Sequence, residues 1–243
     1  MAAALGGQVT LVTRLTPEVD TAVFAGIDLK ALAGGDVARY ANRYGSEGDR
    51  MQMLLGAGEP IAATETAGLE ADILVVAPAY HELTAFPLVK ARYVSVALQG
   101  MLRTVREGHV CQRPLSPASL KRFVPEGSYV FFSDEDAAEP DILAAAIVRL
   151  GATAVLTRGN RGATFYSRSG EWEVAPFAAQ PIDPTGAGDC FAVAFTTRLA
   201  ETEDPAEAAR FAAAAGSLVT EGEGLEGVPS RQSIEERMLR EAA

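Results

Sequence analysis

The stretch DPTGAGDCFAVAF, Asp183 to Phe195, sets three small residues, Gly186, Ala187 and Gly188, between two carboxylates, Asp183 and Asp189, and then runs into an apolar segment of helical character. Small residues let backbone N–H groups converge on an anion without steric hindrance. A helix starting there points its positive dipole end at the same spot. A carboxylate at an anion-binding helix start is misplaced unless it handles a proton. One chemistry uses both features: transfer of a phosphoryl group to a hydroxyl, with Asp189 as the base and the Gly186, Ala187 and Gly188 amides as the anion hole. A glycine-rich loop that merely opens a helix is the plainer alternative, and the joint arrival of two carboxylates and a small-residue helix face weighs against it.

The elements that must position this turn read as alternating strands and helices. Apolar, β-branched runs at Gln8–Thr13, Val23–Ile27, Ala71–Ala77, Tyr93–Leu98, Tyr129–Phe132 and Ala152–Leu156 read as strands. Helices are expected from His81-Glu82-Leu83 onward, at Pro117–Phe123 and at Asp141–Leu150. Two more follow, from the Gly-Ala-Gly turn to about Ala200 and from Pro205, and Ser230 caps a final one. Glu107–Val110 reads as a turn, and Gly162–Ser167 with Glu171–Ala175 as a hairpin. The segment Asp36–Leu55 is a second hairpin around Gly45–Gly48, with polar and aromatic residues on one face. Gln99-Gly100 closes the Tyr93–Leu98 strand, and the C-terminal end of a parallel strand is where such sheets place ligands. The pattern predicts a doubly wound α/β sheet with helices on both faces and a small partial β lid.

Taken together, DPTGAGD and its small, apolar helix resemble the C-terminal motif of the ribokinase/PfkB family of carbohydrate kinases. The resemblance covers most of the chain after Gly7 and implies one ribokinase-like α/β domain over 1–243, with the lid near 36–55. It implies a phosphotransferase moving the ATP γ-phosphate to a hydroxyl of a sugar or polyol, closer to inositol kinases than to ribokinase around ARYANRY, GDRMQ and YVSVALQGMLR. The turn Thr157-Arg158-Gly159-Asn160-Arg161-Gly162 resembles a family turn that touches nucleotide phosphates, through Thr157, Gly159 and Gly162. Ser133 and Asp136 stand where relatives carry Asn-x-x-Glu, so Asp136 would order Mg²⁺ through water with a shorter reach. Asp183 and the Thr185 carbonyl match positions that bind a monovalent cation such as K⁺. Asn42, Arg50, Gln52, Gln99 and Arg103 fall at substrate-site positions, and the Ala-lined helix after Pro205 at the adenine pocket. A homodimer through the lid is also implied. The family opens with a strand, an Asp and a Gly-Gly turn before a helix that ends in Leu-Gly. Leu5-Gly6-Gly7 occupies that pair's place here, so those elements are expected to be missing from these residues. This makes a truncated, inactive nucleotide- or polyol-binding protein the alternative expectation.

Composition narrows the classes. The chain has 243 residues, 48% hydrophobic and 22% charged, enough for a substantial core. Its net charge of −11 disfavours nucleic acid and anionic membrane surfaces. Cys111 and Cys190 have no metal-ligand spacing with His81 or His109, which fits a reducing cytoplasm. Cys190 follows the expected base and reads as a small buried filler rather than an activated thiolate.

Overall fold

The computed structural model describes residues 1–32, 34–44 and 50–240. In chain order its strands are β1 (Thr10–Arg14), β2 (Asp28–Leu32), β3 (Arg39–Tyr44), β4 (Arg50–Gly56), β5 (Leu69–Val76), β6 (Val89–Ala97), β7 (Arg103–Arg106), β8 (His109–Gln112), β9 (Tyr129–Ser133), β10 (Thr153–Thr157), β11 (Ala163–Ser167) and β12 (Gly170–Val174). The α-helices are α1 (Pro117–Phe123), α2 (Pro140–Arg149), α3 (Ala187–Thr202), α4 (Pro205–Val219) and α5 (Arg231–Arg240).

The main sheet has six strands in the order β12-β11-β10-β9-β6-β5. β5, β6, β9 and β10 run parallel, and the β11–β12 hairpin adds an antiparallel edge. Alternation along β9 and β10 divides the core between the two faces. Phe131 and Val155 pack with Phe191, Phe195 and the alanines of α4 on one side. Val130, Phe132, Ala154 and Leu156 pack with Leu120 of α1 and with Ala144 and Ile147 of α2 on the other. Both faces are therefore covered, as a parallel sheet requires. On the first face Phe165 stacks on Trp172 with ring centroids 4.1 Å apart, and Phe165 also meets Phe195.

α3 and α4 pack closely because α4 presents small residues: Ala208, Ala209, Ala212, Ala214 and Ala215 are fully buried. Ser95 of β6 and Thr196 of α3 share a buried hydroxyl–hydroxyl hydrogen bond, and Thr196 also donates to the Ala192 carbonyl. These bonds satisfy the polar groups where the helix meets the sheet.

Two smaller sheets lie apart from the main one. β1 and β2 form a parallel pair, and β3-β4-β8-β7 form a four-stranded antiparallel sheet. The lid is thus larger than the expected 36–55 hairpin, because β7 and β8 join it. The segment read as a turn at 107–110 is the tight connection of that second hairpin, with Glu107 and Gly108 at positive φ.

Two other expectations also fail. Thr21–Phe24 forms a 3₁₀ turn capped by Asp20, whose Oδ1 accepts the Ala22 N–H at 2.9 Å, and the strand begins only at Asp28. Local capping outweighs the β-branched pattern there. No helix starts at His81, whose φ is 49° and whose N–H donates to the Gly100 carbonyl. Contact with a distant strand end replaces the local helix in that segment.

Candidate functional site

The site is assembled at the C-terminal ends of β6 and β9 and the N-terminus of α3. Gly186 is the N-cap of α3, with φ 80° in the left-handed region that glycine tolerates best. Its carbonyl accepts the Cys190 N–H at 2.9 Å, which starts the helix. The first-turn N–H groups of a helix have no intrahelical acceptor. Space is open beyond this turn: a Cβ placed on Gly186 or on Gly188 meets nothing within 4 Å. Gly186 and Gly188 therefore present backbone to open space.

Asp189 lies in the first turn of α3 and is reached by solvent. The surrounding protein nevertheless removes enough water to raise its carboxyl above the ordinary range. Arg103 opposes that shift and Asp136 adds to it. One cation and one anion from distant parts of the chain thus act on the same carboxylate. Cys190, the next residue, is buried, and burial pushes its thiol up, so it is a packing residue there.

Asp136 is fixed by three donors. Oδ2 accepts the Ser133 N–H and the Ser133 hydroxyl, both at 2.8 Å, and Oδ1 accepts Gln99 Nε2 at 3.1 Å. Ser133 therefore orients Asp136, and Gln99 ties the end of β6 to the end of β9. Among the described residues no group of three His, Cys, Asp or Glu side chains could hold a metal by itself. A single oriented carboxylate still fits Mg²⁺, which keeps several waters and is commonly held by one or two carboxylates together with substrate phosphates.

Asp183 plays a local part. The Thr185 hydroxyl and N–H, the latter at 2.9 Å from Oδ1, hold its carboxyl below the usual range, and the Gly224 N–H reaches Oδ2 at 3.4 Å. The N–H groups of Ile182 and Asp183 both donate to the Thr220 carbonyl. Asp183 and Thr185 thereby brace the Pro-Thr-Gly turn against the end of α4.

The second turn follows β10. The Thr157 carbonyl accepts the Asp134 N–H at 3.2 Å, which places this turn beside the end of β9. Arg161 pairs with Asp134 across the same gap. The space beyond Gly159 is open, whereas a Cβ on Gly162 would lie 2.2 Å from the Val174 carbonyl. Gly162 has φ 83° and is required for the close approach of β12, whatever else the turn binds.

Arg103 comes from β7 in the lid sheet. Its guanidinium lies 5.2 Å from the centre of the Tyr40 ring, and Nη1 is 3.4 Å from the Ala79 carbonyl. The Tyr40 hydroxyl donates to that same carbonyl at 2.7 Å, and burial raises its pKa. His81 Nε2 donates to the Arg103 carbonyl at 2.6 Å, which fixes that tautomer. Gly100 permits this arrangement, since a Cβ there would fall 2.0 Å from the Pro78 carbonyl. Tyr40, Ala79 and His81 are the site residues that sequence reasoning missed. Tyr40 stood in the ARYANRY segment, but nothing in the sequence pairs it with Arg103.

Asn42 and Gln52 face each other across β3 and β4 and are bonded at 2.9 Å. They lie on the same strand face as Tyr40, by the two-residue period. The side chain of Arg50 lies outside the described residues.

A layered α/β sheet with a separate β lid and an anion turn at a helix start is a ribokinase-like fold. The chain superposes on a solved pyrophosphate-dependent kinase of the ribokinase family, complexed with a pyrophosphate analog and myo-inositol, with TM-score 0.76 and 21% identity, covering 97% of this chain and 87% of that one. Residues 125–231 match the pfkB family carbohydrate kinase model. Bacillus subtilis ribokinase is 40% identical over 82 residues, which cover 33% of this chain and 28% of the relative. Zea mays inositol 3-kinase is 33% identical over 109 residues, 44% of this chain and 28% of the relative. The aligned stretches thus span little more than a quarter of each relative's length.

Proposed function

We propose that this chain transfers the γ-phosphoryl group of ATP to a hydroxyl of a sugar or polyol, inositol-like in class. One observation supports this above all: Asp189 stands at an open, left-handed-capped helix N-terminus, under the influence of Arg103 from the lid and Asp136 from the sheet. The Asp189 carboxylate takes the proton of the attacking hydroxyl. The Gly186, Ala187 and Gly188 amides receive charge on the transferring phosphoryl group. Thr157 and Gly159, with Gly162 shaping their turn, hold the donor phosphates. Asp136, oriented by Ser133 and Gln99, would hold Mg²⁺ through water, and that ion when bound supplies charge neutralisation to the phosphates. Asp183 and Thr185 would hold K⁺ behind the anion turn. Asn42, Gln52, Gln99 and Arg103 orient the acceptor from the lid and strand ends, with Arg50 on the same hairpin.

The same reading brings two copies together through their lids. Met51 and Leu55 of β4 are 52% and 62% exposed, and exposed apolar side chains on the lid sheet favour a partner. The setting proposed is the cytoplasm, whose reducing conditions would keep Cys111 and Cys190 free as they are here.

The test measures phosphorylated product from a panel of inositols, pentoses and nucleosides, each with ATP and, separately, with pyrophosphate as donor. Turnover with ATP and a polyol, lost in Asp189→Asn, is the expected result. Turnover with pyrophosphate alone would replace the donor. Binding of ATP and polyol without product would leave a binding protein in place of the kinase.

A further inference from the structure

Arg103 is the lid residue whose charge acts on Asp189. Among the described residues no carboxylate lies within ion-pair distance of its guanidinium. A free arginine side chain samples many rotamers, so its charge serves one place only when something else holds it.

The loop after β5 holds Arg103 at both ends. The Ala79 carbonyl lies 3.4 Å from Nη1 and also accepts the Tyr40 hydroxyl. At the backbone end, His81 Nε2 donates to the Arg103 carbonyl at 2.6 Å. The first distance is at the outer limit of a hydrogen bond and the second is short, so the His81 bond is the firmer hold.

His81 is itself fixed. Its N–H donates to the Gly100 carbonyl at 3.2 Å, and the Tyr80 ring meets its ring edge-on at 4.6 Å. The Glu82 carboxylate accepts the Ala79 N–H at 2.5 Å and braces the same loop. Gly100 admits that loop, because a Cβ there would strike the Pro78 and Ala79 backbone. The His81 φ of 49° is uncommon for a residue other than glycine. Such conformations persist where the surroundings over-determine them, and they collect at functional sites. Here the turn aims the imidazole at Arg103. The nearby cation is Arg113, with Nη1 3.5 Å from Nε2. A second proton on the ring leaves the Nε2–H in place, so the bond to Arg103 does not depend on it.

We propose that His81 is a positioning residue for phosphoryl transfer: its imidazole clamps the Arg103 backbone and so sets the guanidinium toward the Asp189 carboxylate. The role rests on the proposed kinase reading, whereas the clamp is a matter of geometry. Without the clamp Arg103 opposes the raised pKa of Asp189 less, and that carboxyl titrates at higher pH. Asp136, the other charge acting on it, stays where Ser133 and Gln99 hold it.

Two variants separate the clamp from the fold. Asparagine suits a left-handed backbone but stops about one bond short of the Arg103 carbonyl. Glutamine suits that backbone less, yet its Nε2 reaches the place of the imidazole Nε2. Stability alone therefore ranks His81→Asn above His81→Gln, and positioning ranks them the other way. The measurement is a ¹³C NMR titration of the Asp189 carboxyl in the 243-residue chain, assigned by its loss in Asp189→Asn, and it needs no turnover. The midpoint should move to higher pH in Arg103→Met, move at least about half as far in His81→Asn, and return in His81→Gln. Combining His81→Asn with Arg103→Met should add nothing to Arg103→Met, because both act through one guanidinium. With ATP and a polyol, kcat/KM should fall about tenfold in His81→Asn, its acid limb moving to higher pH, and recover in His81→Gln. An unmoved midpoint in His81→Asn, equal movement in both variants, or further movement in the double variant would overturn the proposal. Unfolding of His81→Asn alone would overturn it too, by making the bond a structural one. The expected midpoints without turnover in the unsubstituted chain would uphold the clamp and overturn the kinase reading.

Discussion

The anion turn and the lid serve one site but are built in opposite ways. The turn at residues 183–189 is contiguous in sequence, and its supports are short-range: the Asp183–Thr185 bonds, the Gly186 cap and the start of α3. Behind it α3 and α4 are packed among fully buried alanines and phenylalanines. The lid contribution is scattered. Arg103, Tyr40 and the loop holding Ala79 and His81 come from three separate segments and meet through one shared carbonyl, a stacked ring and a strained His81 backbone. The comparison teaches that a charge acting on the proposed base need not come from the motif that holds it. In this protein the motif supplies geometry, and the lid supplies the opposing charge.

Five substitutions bear on that contrast. The largest effect belongs to Asp189→Asn, which keeps the shape and removes the proton acceptor. Steady-state kcat should fall about 10²–10⁴-fold while the melting temperature hardly moves, because the side chain is solvent-exposed. An unchanged kcat would remove Asp189 from the chemistry.

Next comes Gly188→Val. A Cβ there meets nothing within 4 Å, so the chain should remain native while the branched group fills the proposed space of the phosphoryl group. Calorimetry is expected to show donor affinity weakened about 100-fold, the scale of a lost anion-hole contact. Wild-type affinity in a folded variant would move the phosphate site elsewhere.

Arg103→Met tests the lid's part. We expect kcat/KM to fall about 10–100-fold, the worth of a charged hydrogen bond. The sign of the pH effect is definite. Arg103 holds the Asp189 carboxyl down against desolvation, so its loss raises that pKa. The base works ionised, and activity is lost as pH falls through its pKa, so the acid limb of the kcat/KM profile should move to higher pH. An acid limb that stays in place would separate the lid charge from the base.

Gly162→Ala is the mirror image of Gly188→Val. Its Cβ would meet the Val174 carbonyl and its φ is 83°, so stability should drop by about 1–3 kcal/mol in chemical denaturation. Donor affinity of the surviving native fraction should change less than in Gly188→Val; the reverse ranking would exchange the roles of the two glycines. The smallest effect is expected from Asn42→Ala on the exposed lid face: a KM change of a few-fold for the acceptor and a stability change within about 0.5 kcal/mol. A loss in kcat as large as that of Asp189→Asn would place the lid hairpin in the chemistry itself.

By itself the sequence determined what short-range physics can specify. Strands Tyr129–Ser133 and Thr153–Thr157, the helix at Pro117–Phe123 and the helix start at Gly186 were legible because apolar period, caps and glycine act within a few residues. The same reasoning singled out Asp189 and the small-residue turn as the proposed site, since they are adjacent along the chain. It failed where partners are remote. His81 was expected in a helix, yet the Gly100 and Arg103 carbonyls hold it at positive φ. The turn read at Glu107–Val110 belongs to the β7–β8 hairpin, which pairs with β4 only once the chain has folded back. Gly162 looked like a phosphate contact, and only tertiary packing shows the Val174 carbonyl that requires it. That Arg103 acts on Asp189 depends on long-range closure. No local propensity encodes such closure, because its free energy comes from contacts that exist only in the assembled sheet.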